Sequence, residues 1–126
     1  MSKIQIVDTH CHLDYLEDSL VDIREKANDH GVVRFMTIAV EEKQWTNLIE
    51  MGNEHDIDVA LGIHPCDVVS AKSGWEDRLL IHAQHQNIKA IGETGLDNYH
   101  DPNQKKAQLQ AFEAHAYVAQ KLNKPL

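Results

Sequence analysis

The sequence predicts an α/β fold: about four parallel strands in the order 1-2-3-4, with helices on their outer face. Three observations carry that expectation. Strand-like and helix-like segments alternate four times along 126 residues. Polar residues able to do chemistry recur where three of those strands end, the edge that parallel α/β folds use for their sites. The hydrophobic share of 42% and charged share of 25% belong to a globular chain with a real core.

Residues 4–10, IQIVDTH, alternate in polarity and read as strand one. Residues 19–31 read as a helix: Leu20, Ile23 and Ala27 have helical spacing, and Gly31 can stop it. VVRFMTIAV (32–40) is strand two. In 41–55 Trp45, Leu48, Ile49 and Gly52 fall on one side of a second helix. IDVALGIHP (57–65) is strand three, closed by Pro65. The third helix, 73–86, sets Trp75, Leu79, Ile81 and His82 near one stripe. IKAIGETGLD (88–97) holds strand four. A long helix follows over 101–123, started by Asp101-Pro102, with Leu109, Phe112, Ala116, Ala119 and Leu122 stepping by three or four. Trp45 and Trp75, on helix stripes, read as core. No Ser/Gly-rich linker divides the chain, so residues 1–126 read as one unit. Lys124-Pro125-Leu126 then looks like the opening of a fifth strand.

Lys+Arg number 12 and Asp+Glu 20, a net charge of −8. That argues against a basic clamp gripping nucleic acid through phosphates alone. A nucleic-acid substrate stays open, since a bound cation supplies local positive charge. Cys11 and Cys66 suggest neither a disulfide scaffold nor a CxxC site. The segment MSKIQIVDTH does not read as a leader peptide, and no apolar run reaches the ~18 residues of a membrane span. The expectation is a reduced cytoplasmic protein without a membrane partner.

The stretch VDTHCHLD places His10 and His12 at the end of strand one. Residues i and i+2 of a strand share a face, so both imidazoles can converge on one divalent ion while Cys11 packs on the other side. His-x-His alone is weak. Glu93 at the end of strand four and His64 at the end of strand three lie on the same edge, which strengthens it. Asp14 could support a ligand histidine or start a helix. His30, His55, His82, His85, His100 and His115 read as solvated or packing residues.

VDTHCHLD, ALGIHP, AIGETGLDNYH and the pair QLQAF and LNKPL occur in that order from Val7 to Leu126. Together they resemble the TatD family of metal-dependent deoxyribonucleases, among the amidohydrolase-like TIM barrels. The resemblance implies a (β/α)8 barrel, of which residues 1–126 would be the N-terminal half, ending before strand five. It implies hydrolysis of DNA phosphodiesters with a divalent cation, magnesium, manganese or zinc. By the resemblance His10, His12 and Glu93 are metal ligands and Glu93 is also catalytic. His64 is a substrate-side histidine, and Asp97 and Tyr99 shape the substrate pocket. Asn98 stands where the family commonly has an aromatic, and His115 where it commonly has Gln.

The family's remaining ligands, two histidines and an aspartate, belong to later strands, so weak metal binding and little nuclease activity are expected of these 126 residues. Two alternatives remain: a related metal-dependent phosphoesterase or amidohydrolase, and a non-catalytic assembly module. Half a barrel would leave both sheet edges and an apolar inner face (Ile38, Ala60 or Ile91) uncovered, so self-association is also expected.

Overall fold

The computed structural model describes residues 4–126; residues 1–3, part of the segment read for a leader, lie outside it. Strands β1 (Ile6–Cys11), β2 (Val32–Ile38), β3 (Asp58–Leu61) and β4 (Ile88–Ile91) form one sheet in the order β1-β2-β3-β4. Every pair is parallel. Helices α1 (Leu20–Asp29), α2 (Trp45–His55), α3 (Trp75–His82) and α4 (Lys105–Leu122) follow the four strands in turn.

Local chemistry sets the helix ends. Ser19 caps α1 by accepting from the Asp22 N–H. The chain leaves α1 through Gly31 at φ +89°, where a Cβ would stand 2.9 Å from the Ile4 carbonyl oxygen, so both the backbone angle and the space call for glycine. Asp101 accepts from the Asn103 N–H, and Pro102 opens a 3-10 turn that leads into α4. Asn123 in the left-handed region ends α4, and Lys124 N–H closes on the Ala119 carbonyl.

The core lies between β3 and β4 and helices α2, α3 and α4. Trp45, Leu48, Val59, Leu61, Ile63, Trp75, Leu79 and Ile88 are all buried in it. Fully burying an aliphatic side chain of this size contributes roughly 1.5–3 kcal/mol. The Trp45 indole N–H is satisfied by the Gly62 carbonyl at 3.0 Å. A smaller cluster of Leu13, Phe35 and Ile57 packs under Leu20, Ile23 and Ala27 of α1. Cys11 joins it, its thiol donating to the Met36 carbonyl. Burial first, then the nearby Asp8 and Asp14 carboxylates, push that thiol up to about 11. Among the described residues no helix is long and apolar enough to cross a membrane.

Four details differ from the sequence reading. Strands three and four are shorter than 57–65 and 88–97, because the chain turns to cross the sheet end after Leu61 and Ile91. Ile81 is 64% exposed, since two residues on from Leu79 is roughly the opposite side of a helix. Leu109 is 47% exposed, and the buried stripe of α4 is Gln108, Ala111, His115, Val118 and Ala119. Ile91 belongs to the helix-side core, because a register shift between the Val59 and Ala60 pairings puts Ala90 opposite Ala60. The tail also partly covers the outer edge of β4, where Ile91 N–H donates to the Pro125 carbonyl at 2.9 Å.

Candidate metal centre

The strand ends deliver the candidate ligands to one place. β1 carries His10 directly, and His12 follows it by one residue. Glu93 starts from the far side of the sheet. After β4, Gly92 N–H donates to the Leu61 carbonyl at 2.8 Å and Glu93 N–H to the Ala39 carbonyl at 2.9 Å. The chain therefore runs back over the ends of β3 and β2 toward β1. Gly62 makes this crossing fit: a Cβ there would lie 2.5 Å from the Gly92 carbonyl carbon and 2.8 Å from the Glu93 oxygen.

The result is a compact cluster. Donor atoms of His10, His12 and Glu93 all lie within 4.8 Å of one another. His10 Nε2 is 3.4 Å from Glu93 Oε2, and His64 Nε2 is 3.6 Å from Glu93 Oε1. The His12 Nδ1–H donates to the Ile38 carbonyl at 3.0 Å, because a carbonyl only accepts. That fixes the tautomer and leaves Nε2 with a free lone pair for a metal. The His64 Nδ1 accepts from the Cys66 N–H at 3.1 Å, so the neutral ring carries its proton on Nε2, toward Glu93. Two imidazoles and a carboxylate suit a divalent cation such as zinc, manganese or iron.

An open cleft of about 500 Å³ runs from this cluster along the concave face of the sheet, past Thr9, Met36, Ile38 and Ala60. Its floor is apolar and its ligand end is polar, as small-molecule and substrate sites commonly are.

Asp97 and Tyr99 lie elsewhere. Asp97 accepts from the backbone N–H groups of Tyr99 and His100, and its Oδ2 meets His100 Nδ1 at 2.7 Å and Cys66 Sγ at 3.4 Å. The His100 contacts, backbone first, hold its carboxyl well below the usual range. Tyr99 is 90% exposed. Asp14 lies in the first turn of the 3-10 helix Leu13–Tyr15, in keeping with the helix-start role read in the sequence. It takes the Gln44 amide at 2.7 Å; that amide also donates to Tyr15 Oη, and the Tyr15 ring stacks on His12 at 5.4 Å between centroids. Tyr15 and Gln44 were missed in the sequence, where only the capping-box spacing of Glu41 and Gln44 marks the latter.

Residues 7–126 match the family model described as TatD related DNase. The chain belongs to the TatD-related family. It is 30% identical over 127 residues to the uncharacterized metal-dependent hydrolase YabD of Bacillus subtilis, covering 96% of this chain and 49% of that protein. It is also 30% identical to the uncharacterized metal-dependent hydrolase YcfH of Escherichia coli, covering 96% and 47%. The crystal structure of the TatD homologue YJJV from Escherichia coli superposes with a TM-score of 0.84 at 23% identity, covering 94% of this chain and 48% of that one. A TatD-family hydrolase from Entamoeba histolytica gives 0.79 at 20% identity, covering 95% and 47%. The chain thus spans about half the length of the relatives it matches. Its four parallel strands and outer helices are a half-barrel of this TIM-barrel family.

Proposed function

We propose that this TatD-family chain forms part of a hydrolase that cleaves DNA phosphodiesters with a divalent cation held by His10, His12 and Glu93. The observation that carries the reading is the convergence of those three donors with His64 at one end of an open cleft. A family named for deoxyribonuclease and relatives named metal-dependent hydrolases support it. The donor set fits the ion: His12 presents a fixed Nε2 lone pair, and Glu93 faces both His10 and His64.

When bound, a divalent cation supplies Lewis-acid polarisation of the phosphoryl group and activation of water. The chain's own residues do the rest. The Ile38 carbonyl and the Tyr15 ring orient His12. The His64 Nε2–H, held in that tautomer by Cys66 N–H, is available to a non-bridging phosphate oxygen. Charge-assisted hydrogen bonds of this kind are the strong ones.

The test has two readouts. Calorimetric titration with manganese, a harder ion than a thiolate site prefers, should give one weak site in the 126-residue chain. His12→Ala and Glu93→Gln should each lower its affinity at least tenfold. Release of nucleotides from a DNA end should be slow with these residues alone. They supply only the β1 and β4 donors, and the cleft is open to water, where electrostatic stabilisation is weak. Unchanged metal affinity in both variants would overturn the site. Turnover of small phosphoesters or amides with inert DNA would move the reading to another hydrolase class.

A further inference from the structure

A second group of donors lies on the rim beyond His64, on the loops that follow β3 and β4. Cys66 Sγ, Asp97 Oδ2 and His100 Nδ1 all fall within 4.8 Å of one another. Sγ is 3.4 Å from Oδ2, and Nδ1 is 2.7 Å from the same oxygen. We propose that these three side chains form a separate site for a zinc-type divalent cation, tying the loop after β3 to the loop after β4.

The donor chemistry selects that ion class. A thiolate, an imidazole and a carboxylate are the ligand types of zinc and its borderline-soft neighbours, whereas magnesium prefers oxygen alone. The spacing is close to what such an ion needs. With zinc–sulfur near 2.3 Å and zinc–oxygen near 2.0 Å, a tetrahedral site separates sulfur and oxygen by about 3.5 Å. The sulfur–oxygen pair is already there. The imidazole must withdraw from the carboxylate by roughly 0.6 Å to reach the same geometry. His100 can do so, since its side chain is 66% exposed. Asp97 is ready to hold its place, because its other oxygen, Oδ1, is anchored by the Tyr99 and His100 N–H groups.

The surroundings also call for a cation. Desolvation first, then the hydrogen bond to Asp97 and the charges of Asp97, Asp67 and Asp101, raise the Cys66 thiol above the usual range. Among the described residues neither Asp67 nor Asp101 is ion-paired with a lysine or arginine. Lys43 acts on Asp67 only at a distance, so the negative field at Cys66 is not closed by an ion pair. An ion there displaces the thiol proton to solvent and takes up that field. It would also fix the position of His64, whose ring accepts from the Cys66 N–H.

Cobalt(II) is the probe, because thiolate ligation gives it an intense near-ultraviolet charge-transfer band that nitrogen and oxygen ligands do not. The experiment uses the full 126-residue chain and, in parallel, the chain carrying His10→Ala and His12→Ala, so that loss of the first site is separated from loss of the second. Both should develop the band with one equivalent of cobalt, and zinc should bleach it. Cys66→Ser should abolish it and Cys11→Ser should leave it. His100→Ala, at an exposed position that leaves the fold intact by circular dichroism, should weaken cobalt binding at least tenfold. No band in either background, or a band that survives Cys66→Ser, overturns the proposal.

Discussion

Replacing His115 tests how the body of the protein holds the site. This residue is fully buried on α4, and both ring nitrogens are committed. Nε2 accepts from the Ile63 N–H at 3.0 Å, and Nδ1–H donates to the Ala111 carbonyl at 2.6 Å. Ile63 lies between Gly62, which admits the β4 crossing, and His64, which faces Glu93. His115→Leu keeps the volume but strands the Ile63 N–H without an acceptor, which costs about 1–3 kcal/mol. His115→Gln can restore both bonds, its amide oxygen accepting and its amide nitrogen donating, and should stay within about 1.5 kcal/mol of wild type.

The pH dependence follows from the same burial. Desolvation holds the His115 imidazole below its ordinary value of 6.5, outweighing the upward pull of the Ala111 carbonyl and the Glu76 carboxylate. The folded ring stays neutral while the unfolded chain takes up a proton near 6.5. Below that pH the unfolded state binds more protons, so stability present above 6.5 is lost as pH falls toward the folded-state value. The slope approaches about 1.4 kcal/mol per pH unit for this one group. Guanidinium unfolding between pH 7.5 and 5.5 reads it, and the wild-type slope should exceed that of His115→Gln. Equal slopes in the two proteins would refute the argument. So would a His115→Leu protein as stable as wild type.

Gly62→Ala should destabilise the fold and weaken metal binding together, because its Cβ meets backbone atoms of Gly92 and Glu93 that cannot move independently; calorimetric titration showing wild-type affinity would contradict the crossing as the device that places Glu93. Arg34 pairs with Asp58 through two bonds and, by hydrogen bonding first, lowers that carboxyl below its ordinary 3.8. The stability it lends is present above pH 3.8 and is lost as pH falls through the lowered value, so Arg34→Gln should flatten the acid limb of an unfolding-against-pH curve there. We also propose that two copies pair through β1, which among the described residues has no strand on its outer side and which, with Ile4 just before it, leaves Ile4, Ile6 and Val7 82%, 45% and 51% exposed. Light scattering should show a dimer that Val7→Lys disperses, and a monomer at every accessible concentration would end that proposal.

The topology was legible because it rests on period alone. Four β-α alternations and right-handed crossovers leave few arrangements besides β1-β2-β3-β4. His10 and His12 were legible for the same reason, as strand neighbours two apart share a face. The residues behind His12 were not. Gln44 reaches Asp14 and Tyr15 across about 30 residues, and no local pattern records such contacts, while Tyr15 comes onto His12 from three residues away through the turn Leu13–Tyr15. The α4 stripe misled for a chemical reason. Gln108 is buried, yet its amide accepts from Asp97 N–H at 2.7 Å and donates to the Asp97 carbonyl at 3.0 Å, which satisfies it completely enough to sit among alanines.

Gln108 and His115 therefore share one logic. Each is a polar residue on the buried face of α4 that spends its hydrogen bonds on a loop backbone: Asp97 after β4 for one, Ile63 after β3 for the other. Hydrophobic periodicity discards such positions, although they join the helix to the two loops that carry His64, Cys66, Asp97 and His100. In a sheet whose chemistry lies on loops beyond the strand ends, a polar residue inside an otherwise apolar helix stripe marks where a loop is tied down. That makes Gln108 and His115 the residues through which α4 packing is coupled to the geometry of the site.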